Sequence, residues 1–300
     1  MPAPALMVLA TLLFATMGVC VKLASDLYAA SEIVMYRGIV GMLMMAVMCR
    51  RQRLALKTRV PGMHLWRSIS GVAALSLWFY AIGELPLATA MTLNYMSSVW
   101  MALFLLGGAV LMGAQRLDWR LIAAVLLGFV GVALILRPTL DQRQLWHGLA
   151  GLLSGMLSAM AYLQVTALGR AGEPELRVVF YFSVGGALVG AAITAIAVGG
   201  LHPHSLRGVA LLLAVGLLAT TAQVLMTRAY AIGRPLVNAC LQYLGIVFAF
   251  GYGMLLFKDP LTGSATAGMA LIIAAGVAAT LLRSQVAPPP KDSQFNPAES

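Results

Sequence analysis

The chain has 300 residues, of which 61% are hydrophobic and only 10% are charged. Soluble domains usually carry about 25% charged residues, so this chain has too few to cover a water-exposed surface. The net charge of +10 would suit nucleic acid, but the basic residues lie between apolar runs, which is typical of a membrane topology signal. Composition therefore argues against a soluble domain and a nucleic-acid partner, and favours a protein embedded in a lipid bilayer.

Apolar runs long enough to cross a bilayer recur along the whole chain. A spanning helix needs roughly 17 to 25 residues, and only helices or closed barrels satisfy backbone polar groups in lipid. The runs are continuous rather than alternating, so they predict helices and not barrel strands. In the first half we predict spans at 5–25, 33–49, 65–83, 87–111 and 121–136. In the second half we predict spans at 148–168, 176–198, 208–232, 236–257 and 262–282.

The segments outside these runs are short, apart from the C-terminal one. The first run lacks a basic region before it and is followed by further runs, so we expect a retained helix rather than a signal peptide. Residues 139–146 are predicted to link the two halves. Residues 284–300 are polar and include three consecutive prolines, so we predict a disordered cytoplasmic tail.

One sequence unit occurs twice. The residues YAIG occupy 80–83 and again 230–233, and similar residues follow each copy as far as Arg137 and Arg283. The offset falls from 150 at the start of the two copies to 146 at these arginines, as small loop deletions would produce. The sequence predicts two related units, 1–138 and 147–283, with five helices each. Because five is odd, the second unit enters the membrane from the opposite face, and such inverted repeats are a recurrent design of secondary transporters.

Orientation is predicted from the basic residues. The loop between the second and third helices holds five of them: Arg50, Arg51, Arg53, Lys57 and Arg59. Because cytoplasmic loops carry an excess of Lys and Arg, we place this loop and both termini in the cytoplasm. Fourteen basic residues then lie on the cytoplasmic side and five outside, with Arg37 within a span. We predict a multi-pass protein of a bacterial-type inner membrane.

Several passages, taken in order, resemble the EamA family of the drug/metabolite transporter superfamily. They are 14–23 in the first helix, 32–37 in the second, and the related stretches 78–138 and 227–283. Together they extend over about residues 5–283. The resemblance implies secondary transport of small metabolites, such as amino acids, nucleosides or vitamins, without selecting one.

The sequence lacks the motifs of several other classes. No GxxxxGK[ST] loop is present, so ATP is not the expected energy source, and no HExxH or paired Cys/His set predicts a metal or cofactor. The histidines and carboxylates lie at span ends or in loops. An enzyme within the bilayer needs an acid, a base or a nucleophile there, so we predict no enzyme. The same pattern argues against proton coupling through a buried carboxylate and favours exchange or facilitated passage.

Two basic residues lie inside predicted spans at similar depth. Arg37 is close to the outer end of the second helix, and Lys22 is close to the outer end of the first. Ionisable groups in a bilayer are candidates for function because burying them is costly. Together they would form a positive outer mouth, with Arg37 binding a carboxylate or phosphate and Lys22 in the vestibule. The alternative is that both side chains reach the outer headgroups.

Neutral polar and aromatic residues deep in the spans are the second group of candidates. Asn94 and Tyr95 of the fourth helix correspond in the repeat to Gln242 and Tyr243 of the ninth, and a site at the repeat interface draws on such equivalent positions. The alternative for them is hydrogen bonding and packing between helices. The complete set of predicted substrate-binding residues is Arg37, Trp78, Asn94, Tyr95, Tyr162, Gln164, Gln223, Asn238, Gln242 and Tyr243.

Two glycine pairs have the GxxxG spacing, Gly151 with Gly155 and Gly186 with Gly190. This spacing allows close helix approach, either within one chain or between two copies, so both a monomer and a homodimer stay open.

The sequence as a whole predicts an all-α integral membrane protein with ten transmembrane helices in two inverted five-helix repeats. Its predicted function is secondary transport, by alternating access, of a small organic metabolite such as an amino acid or another amphiphilic or carboxylate-bearing solute. The alternative of a different class is a membrane-embedded enzyme or scaffold that acts on lipid. Only a carrier would show counterflow of a labelled solute in liposomes.

Overall fold

The computed structural model describes residues 2–97, 99–101, 103–104, 107, 119–136, 142–232, 241–259 and 262–286. This part of the chain is helical and contains no strand. The helices are α1 (Ala3–Ser25), α2 (Ala30–Arg51), α3 (Pro61–Glu84), α4 (Leu87–Tyr95), α5 (Trp119–Leu136), α6 (Gln142–Arg170), α7 (Glu175–Ile193), α8 (Leu206–Ile232), α9 (Leu244–Tyr252) and α10 (Gly263–Val286). Helices α7 and α9 each continue into a π-helical turn, at Thr194–Val198 and Gly253–Phe257.

Six of the described helices are long and apolar enough to cross a membrane. They are α1, α2, α3, α6, α8 and α7 with its π-helical turn, and shorter apolar helices lie at Leu244–Phe257 and Thr266–Ala275. The predicted class, an all-helical multi-pass membrane protein, is confirmed. The count of ten spans stays a prediction.

Local sequence explains where several helices begin. Pro61 opens α3, and Pro86 and Pro174 come directly before α4 and α7. Proline is tolerated there because the first backbone N–H groups of a helix have no partner within the helix. At the start of α2 the Glu32 carboxylate accepts a hydrogen bond from Ala29 N at 3.2 Å, which satisfies one of those donors.

Two segments predicted to lie outside the spans contain helical residues. Residues 142–146, predicted as linker, form the start of α6, and α10 continues to Val286, three residues into the predicted tail. The rest of that tail lies outside the described residues.

The fourth and ninth helices are interrupted, although unbroken spans were predicted. α4 ends at Tyr95 with a turn at Met96, and a turn at Tyr243 precedes α9. Tyr95 and Tyr243 correspond to each other in the repeat predicted from the sequence. The helices cross here, because a Cβ atom added to Gly245 of α9 would lie 2.6 Å from Tyr95 Oη. Neither turn contains proline or glycine, which is why the apolar pattern did not indicate them.

Backbone contact between α2 and α7 depends on glycine. A Cβ atom added to Gly38 would lie 2.3 Å from Ala187 N, and one added to Gly190 would lie 2.5 Å from Met35 N. Gly155 has the same role between α6 and α4, since its Cβ atom would lie 2.6 Å from Leu93 O. Both GxxxG pairs therefore contribute a residue to helix packing within one chain.

The most extensive helix contacts join α2 to α7, α5 to α10, α1 to α8 and α3 to α6. α4 packs against α6 and α9, and α1 also packs against α9. The largest apolar cluster connects these helices through fully buried side chains such as Met17, Phe79, Leu87, Met91 and Ile272. Helices from both halves thus surround one interior.

The loop between α2 and α3 is fastened to the connection between α6 and α7. The Glu173 carboxylate accepts hydrogen bonds from Thr58 Oγ1 at 2.8 Å and Arg177 Nη1 at 3.0 Å, and it pairs with His64 Nε2 at 3.1 Å. Arg177 also donates to Ala55 O from Nε at 3.0 Å and from Nη2 at 2.7 Å. Burial raises the pKa of Glu173, but the hydrogen bonds outweigh it, so the pKa lies below its ordinary value. Glu173 is therefore ionised at neutral pH.

Acidification should weaken this connection. Because the pKa of Glu173 is lowered in the folded state, its contribution to stability is present above the ordinary carboxyl pKa and is lost as pH falls through the folded value. We expect the unfolding temperature of Glu173→Gln to lie below that of the wild type at about pH 7 and to approach it below about pH 4. The measurement is thermal unfolding in detergent across that range. Glu175→Gln, which lies outside the cluster, is the control, and a difference that is constant with pH would contradict the assignment.

Candidate functional site

A cavity lies inside the bundle, between side chains of α1, α2, α3, α4, α6, α7 and α8. The space between these side chains that is not filled by atoms is about 680 Å³, including open solvent at the mouth. Most of the wall is apolar, with side chains that include Met7, Phe14, Met17, Leu75 and Met226. The polar groups in this wall therefore decide what the cavity can bind.

Two arginines line the cavity and are almost completely buried. Arg37 of α2 is 4% exposed and Arg67 of α3 is 3% exposed. Both guanidinium groups lie over the ring of Phe182 on α7, with Cζ at 4.9 Å from the ring centre for Arg37 and 4.3 Å for Arg67. A cation over an aromatic face is stabilised by roughly 0.5–2 kcal/mol, but the ring does not replace a hydrogen-bond acceptor for the guanidinium N–H groups.

Several donors at the cavity have no acceptor. Arg37 Nε, Arg67 Nε, Arg67 Nη1 and Trp78 Nε1 are buried and have no hydrogen-bond partner. Buried polar groups are normally paired, and each unpaired one costs about 1–3 kcal/mol. Among the described residues that line the cavity, none is Asp or Glu. The site thus presents positive charge and free donors, and none of the described residues supplies an acceptor for them.

Gly71 makes the position of Arg67 possible. The guanidinium of Arg67 folds along its own helix, and a Cβ atom added to Gly71 would lie 1.7 Å from Arg67 Nη1. A side chain at this position would push the guanidinium elsewhere.

The structure brings many of the predicted site residues together. Seven line the cavity: Arg37, Trp78, Asn94, Tyr95, Tyr162, Gln223 and Gln242. Gln164 and Tyr243 are not among the described residues of the wall, and Asn238 lies outside the described residues. Gln164 accepts a hydrogen bond from Ser70 Oγ at 2.8 Å, which joins α6 to α3. Tyr243 is 4% exposed and belongs to the largest apolar cluster.

Asn94 also has a packing role. Its Nδ2 donates to Ser154 Oγ at 2.7 Å and to Ser158 Oγ at 3.2 Å. Ser154 Oγ donates in turn to Ala74 O at 2.8 Å. This chain of bonds joins α4, α6 and α3 beside the cavity, so the amide nitrogen of Asn94 is already used.

Lys22 does not share the position of Arg37. Its Nζ donates to Leu85 O at 2.6 Å, lies 3.9 Å from Asp259 Oδ1, and is 5.2 Å from the ring centre of Phe257. Asp259 Oδ2 accepts a hydrogen bond from Leu87 N at 3.1 Å. Lys22 therefore connects α1 to the start of α4 and the segment after α9. Lys22 thus has its own partners and Arg37 faces the cavity, and the positive outer mouth of the two residues stays a prediction.

Arg67 and Phe182 were not predicted as site residues. Arg67 was counted only as part of the basic topology signal, because the third span was expected to begin at residue 65. The structure begins α3 at Pro61, which places Arg67 at the seventh position of the helix. An arginine nearly two turns inside an apolar helix is a signal that the sequence contained.

Comparison with known proteins agrees with this architecture. A model of the EamA-like transporter family matches residues 1–137. The chain is 33% identical over 276 residues to the pseudopaline exporter CntI of Pseudomonas aeruginosa (strain UCBPP-PA14), and the match covers 91% of this chain and 94% of that protein. It is 29% identical over 181 residues to a riboflavin transporter of Rhizobium johnstonii, which covers 59% of this chain and 56% of that protein.

A more distant relative and a solved structure extend the comparison. An uncharacterized transporter of Helicobacter pylori (strain J99) is 26% identical over 279 residues, covering 91% of this chain and 92% of that protein. A structure described only as "Crystal structure of protein" has the same fold, with a TM-score of 0.65, 17% identity, and coverage of 93% of this chain and 97% of that chain.

The fold, the cavity and these relatives define a multi-pass membrane transporter of small metabolites. The chain belongs to the EamA-like transporter family, and the resemblance seen in the sequence is confirmed.

Proposed function

We propose that the protein is a secondary transporter that moves a small carboxylate-bearing metabolite by alternating access through the cavity between its halves. The observation that carries this proposal is Arg37, which is buried at the cavity with an unpaired Nε. A guanidinium matches a carboxylate through two parallel hydrogen bonds. The apolar and aromatic wall suits the remainder of an amphiphilic solute, such as an amino acid derivative.

Alternating access would come from the two inverted repeats, 1–138 and 147–283. The helix contacts support this division. If each helix is replaced by its counterpart in the other half, the pair α1–α8 becomes α6–α3, and the pair α4–α6 becomes α9–α1. All four of these helix pairs are in contact. The pairs α2–α7 and α5–α10 each join a helix to its own counterpart. Two such related halves can exchange conformations about a shared site.

The proposal also covers the membrane, the orientation of the protein in it and the direction of transport. The basic residues between α2 and α3 favour a cytoplasmic position for that loop, and both termini then lie in the cytoplasm too. The membrane we propose is an inner membrane. The likeness to a protein named as an exporter favours export. Among the described residues of the cavity wall, none is His, Cys, Asp or Glu, which favours exchange or facilitated passage without enzymatic chemistry.

Counterflow in proteoliposomes tests the proposal. Vesicles with purified protein are preloaded with an unlabelled solute from a panel of carboxylates and amino acids, and uptake of the same labelled solute is followed. We expect transient accumulation of label for at least one carboxylate, and none in protein-free vesicles. No counterflow with any member would contradict the carrier, and turnover of vesicle lipid instead would support the alternative of a lipid-acting enzyme.

A further inference from the structure

The wall of the cavity contains two positive charges. Together they restrict the charge of the solute more than Arg37 alone does. Arg37 and Arg67 are both buried in its wall, and none of the described wall residues is acidic. Three carboxylates at other places in the described fold have partners of their own. Asp259 lies near Lys22, Glu173 pairs with Arg177, and Glu32 pairs with His202. Within the part of the chain that the structure describes, both arginine charges are therefore left to be balanced by something else.

The two guanidinium groups are close enough for one small solute to reach both. They share the ring of Phe182, so their Cζ atoms cannot be farther apart than the sum of 4.9 and 4.3 Å. Like charges at this separation, shielded from water, repel each other strongly. A solute with one negative charge would pair with one guanidinium group. The charge of the other guanidinium group would stay buried and unpaired, which is unfavourable.

We infer that the transported solute is an organic dianion, held by Arg37 and Arg67 beside the ring of Phe182. This inference rests on the proposed function, because it names the substrate class of the same cavity. Three arginine donors and Trp78 Nε1 are unpaired, and the oxygens of two carboxylates or of one phosphate monoester would accept from them. A dicarboxylate and a phosphate monoester share this chemistry.

Ligand-dependent thermal unfolding of the full-length protein in detergent tests the inference, because a ligand raises the unfolding temperature by mass action. The probes are glutarate and succinate, their monoamides glutaramate and succinamate, and methyl phosphate at a pH where it is a dianion. We expect at least one dianion to bind roughly tenfold or more tightly than the monoamides. The dicarboxylate and phosphate probes show which kind of dianion the site prefers.

Variants test what the second charge, that of Arg67, contributes to binding. Arg67→Gln should abolish the preference for the dianion, so that glutarate and glutaramate bind alike. Gly71→Ala should weaken dianion binding while it keeps the charge, because its Cβ atom would displace Arg67 Nη1. Arg228→Gln, which removes an exposed arginine of α8, is the control and should keep the wild-type preference.

Two outcomes would overturn the inference. Equal binding of each dicarboxylate and its monoamide by the wild type, together with no shift by methyl phosphate, would do so, as would the absence of any shift with every dianion. In either case the proposed function would still stand if a monocarboxylate shows counterflow that depends on Arg37. Absence of arginine-dependent counterflow for every carboxylate would contradict the proposed function itself.

Discussion

Replacement of Arg37 by glutamine should reduce counterflow of a carboxylate roughly ten- to hundredfold. The substitution removes charge-assisted hydrogen bonds to the solute, which contribute about 1.5–3 kcal/mol. The empty protein should lose little stability, because Arg37 Nε has no hydrogen-bond partner and the removal of a buried charge offsets the lost contact with the Phe182 ring. The measurements are initial rates in proteoliposomes and unfolding temperatures in detergent.

The control for this prediction is Arg228→Gln, which removes the same charge from an exposed position on α8. Arg37→Lys should give an intermediate rate, since the charge remains but the forked donor geometry is lost. Unchanged flux in Arg37→Gln would make Arg37 a residue of the protein interior without a role in binding. A large loss of stability would indicate that it supports the fold instead.

Substitution of Gly38 by alanine should destabilise the protein by about 1–3 kcal/mol, the usual cost of overpacking. The added Cβ atom would lie 2.3 Å from Ala187 N and 2.7 Å from Ser183 O. Both are backbone atoms of α7 and cannot turn away as a side chain can, so the two helices must separate. The measurement is the unfolding temperature in detergent.

Gly169→Ala is the matched control for Gly38. It lies near the end of α6, where an added Cβ atom meets nothing within 4 Å. There alanine should stabilise slightly, by up to about 1 kcal/mol, because it favours the helix. An unfolding temperature of Gly38→Ala equal to that of the wild type would contradict close packing of α2 on α7. Since Arg37 precedes Gly38, a shift of α2 should also lower transport in the surviving protein.

The class of the protein could be predicted from sequence because a bilayer sets simple requirements. Length and apolarity decide whether a helix can span, and a proline precedes the start of the fourth span, at Pro86. The turns at Met96 and Tyr243 could not be predicted in this way. They depend on how α4 and α9 cross at Tyr95 and Gly245, which no local pattern records.

The sequence indicated which polar residues lie within apolar helices, but not the partners of each side chain. Arg37 lies in α2 and Lys22 in α1, yet one faces the cavity and the other binds Leu85 O, which is 63 residues away from it in the chain. Gln164 and Tyr162 are two positions apart on α6, and only Tyr162 is among the described residues of the cavity wall. Polar residues in apolar runs therefore identified a list of candidates, and helix packing selected among them.

The two arginines that share the Phe182 ring also have an electrical consequence. Moving one elementary charge across the membrane corresponds to about 2.3 kcal/mol per 100 mV. Under the proposed mechanism, an empty site with two positive charges would respond to that voltage, whereas a site filled by a dianion would be neutral. An inside-negative voltage would draw the empty site toward the cytoplasm and leave the loaded step unaffected. In such a carrier the resting voltage of the cell would return the empty site for its next load.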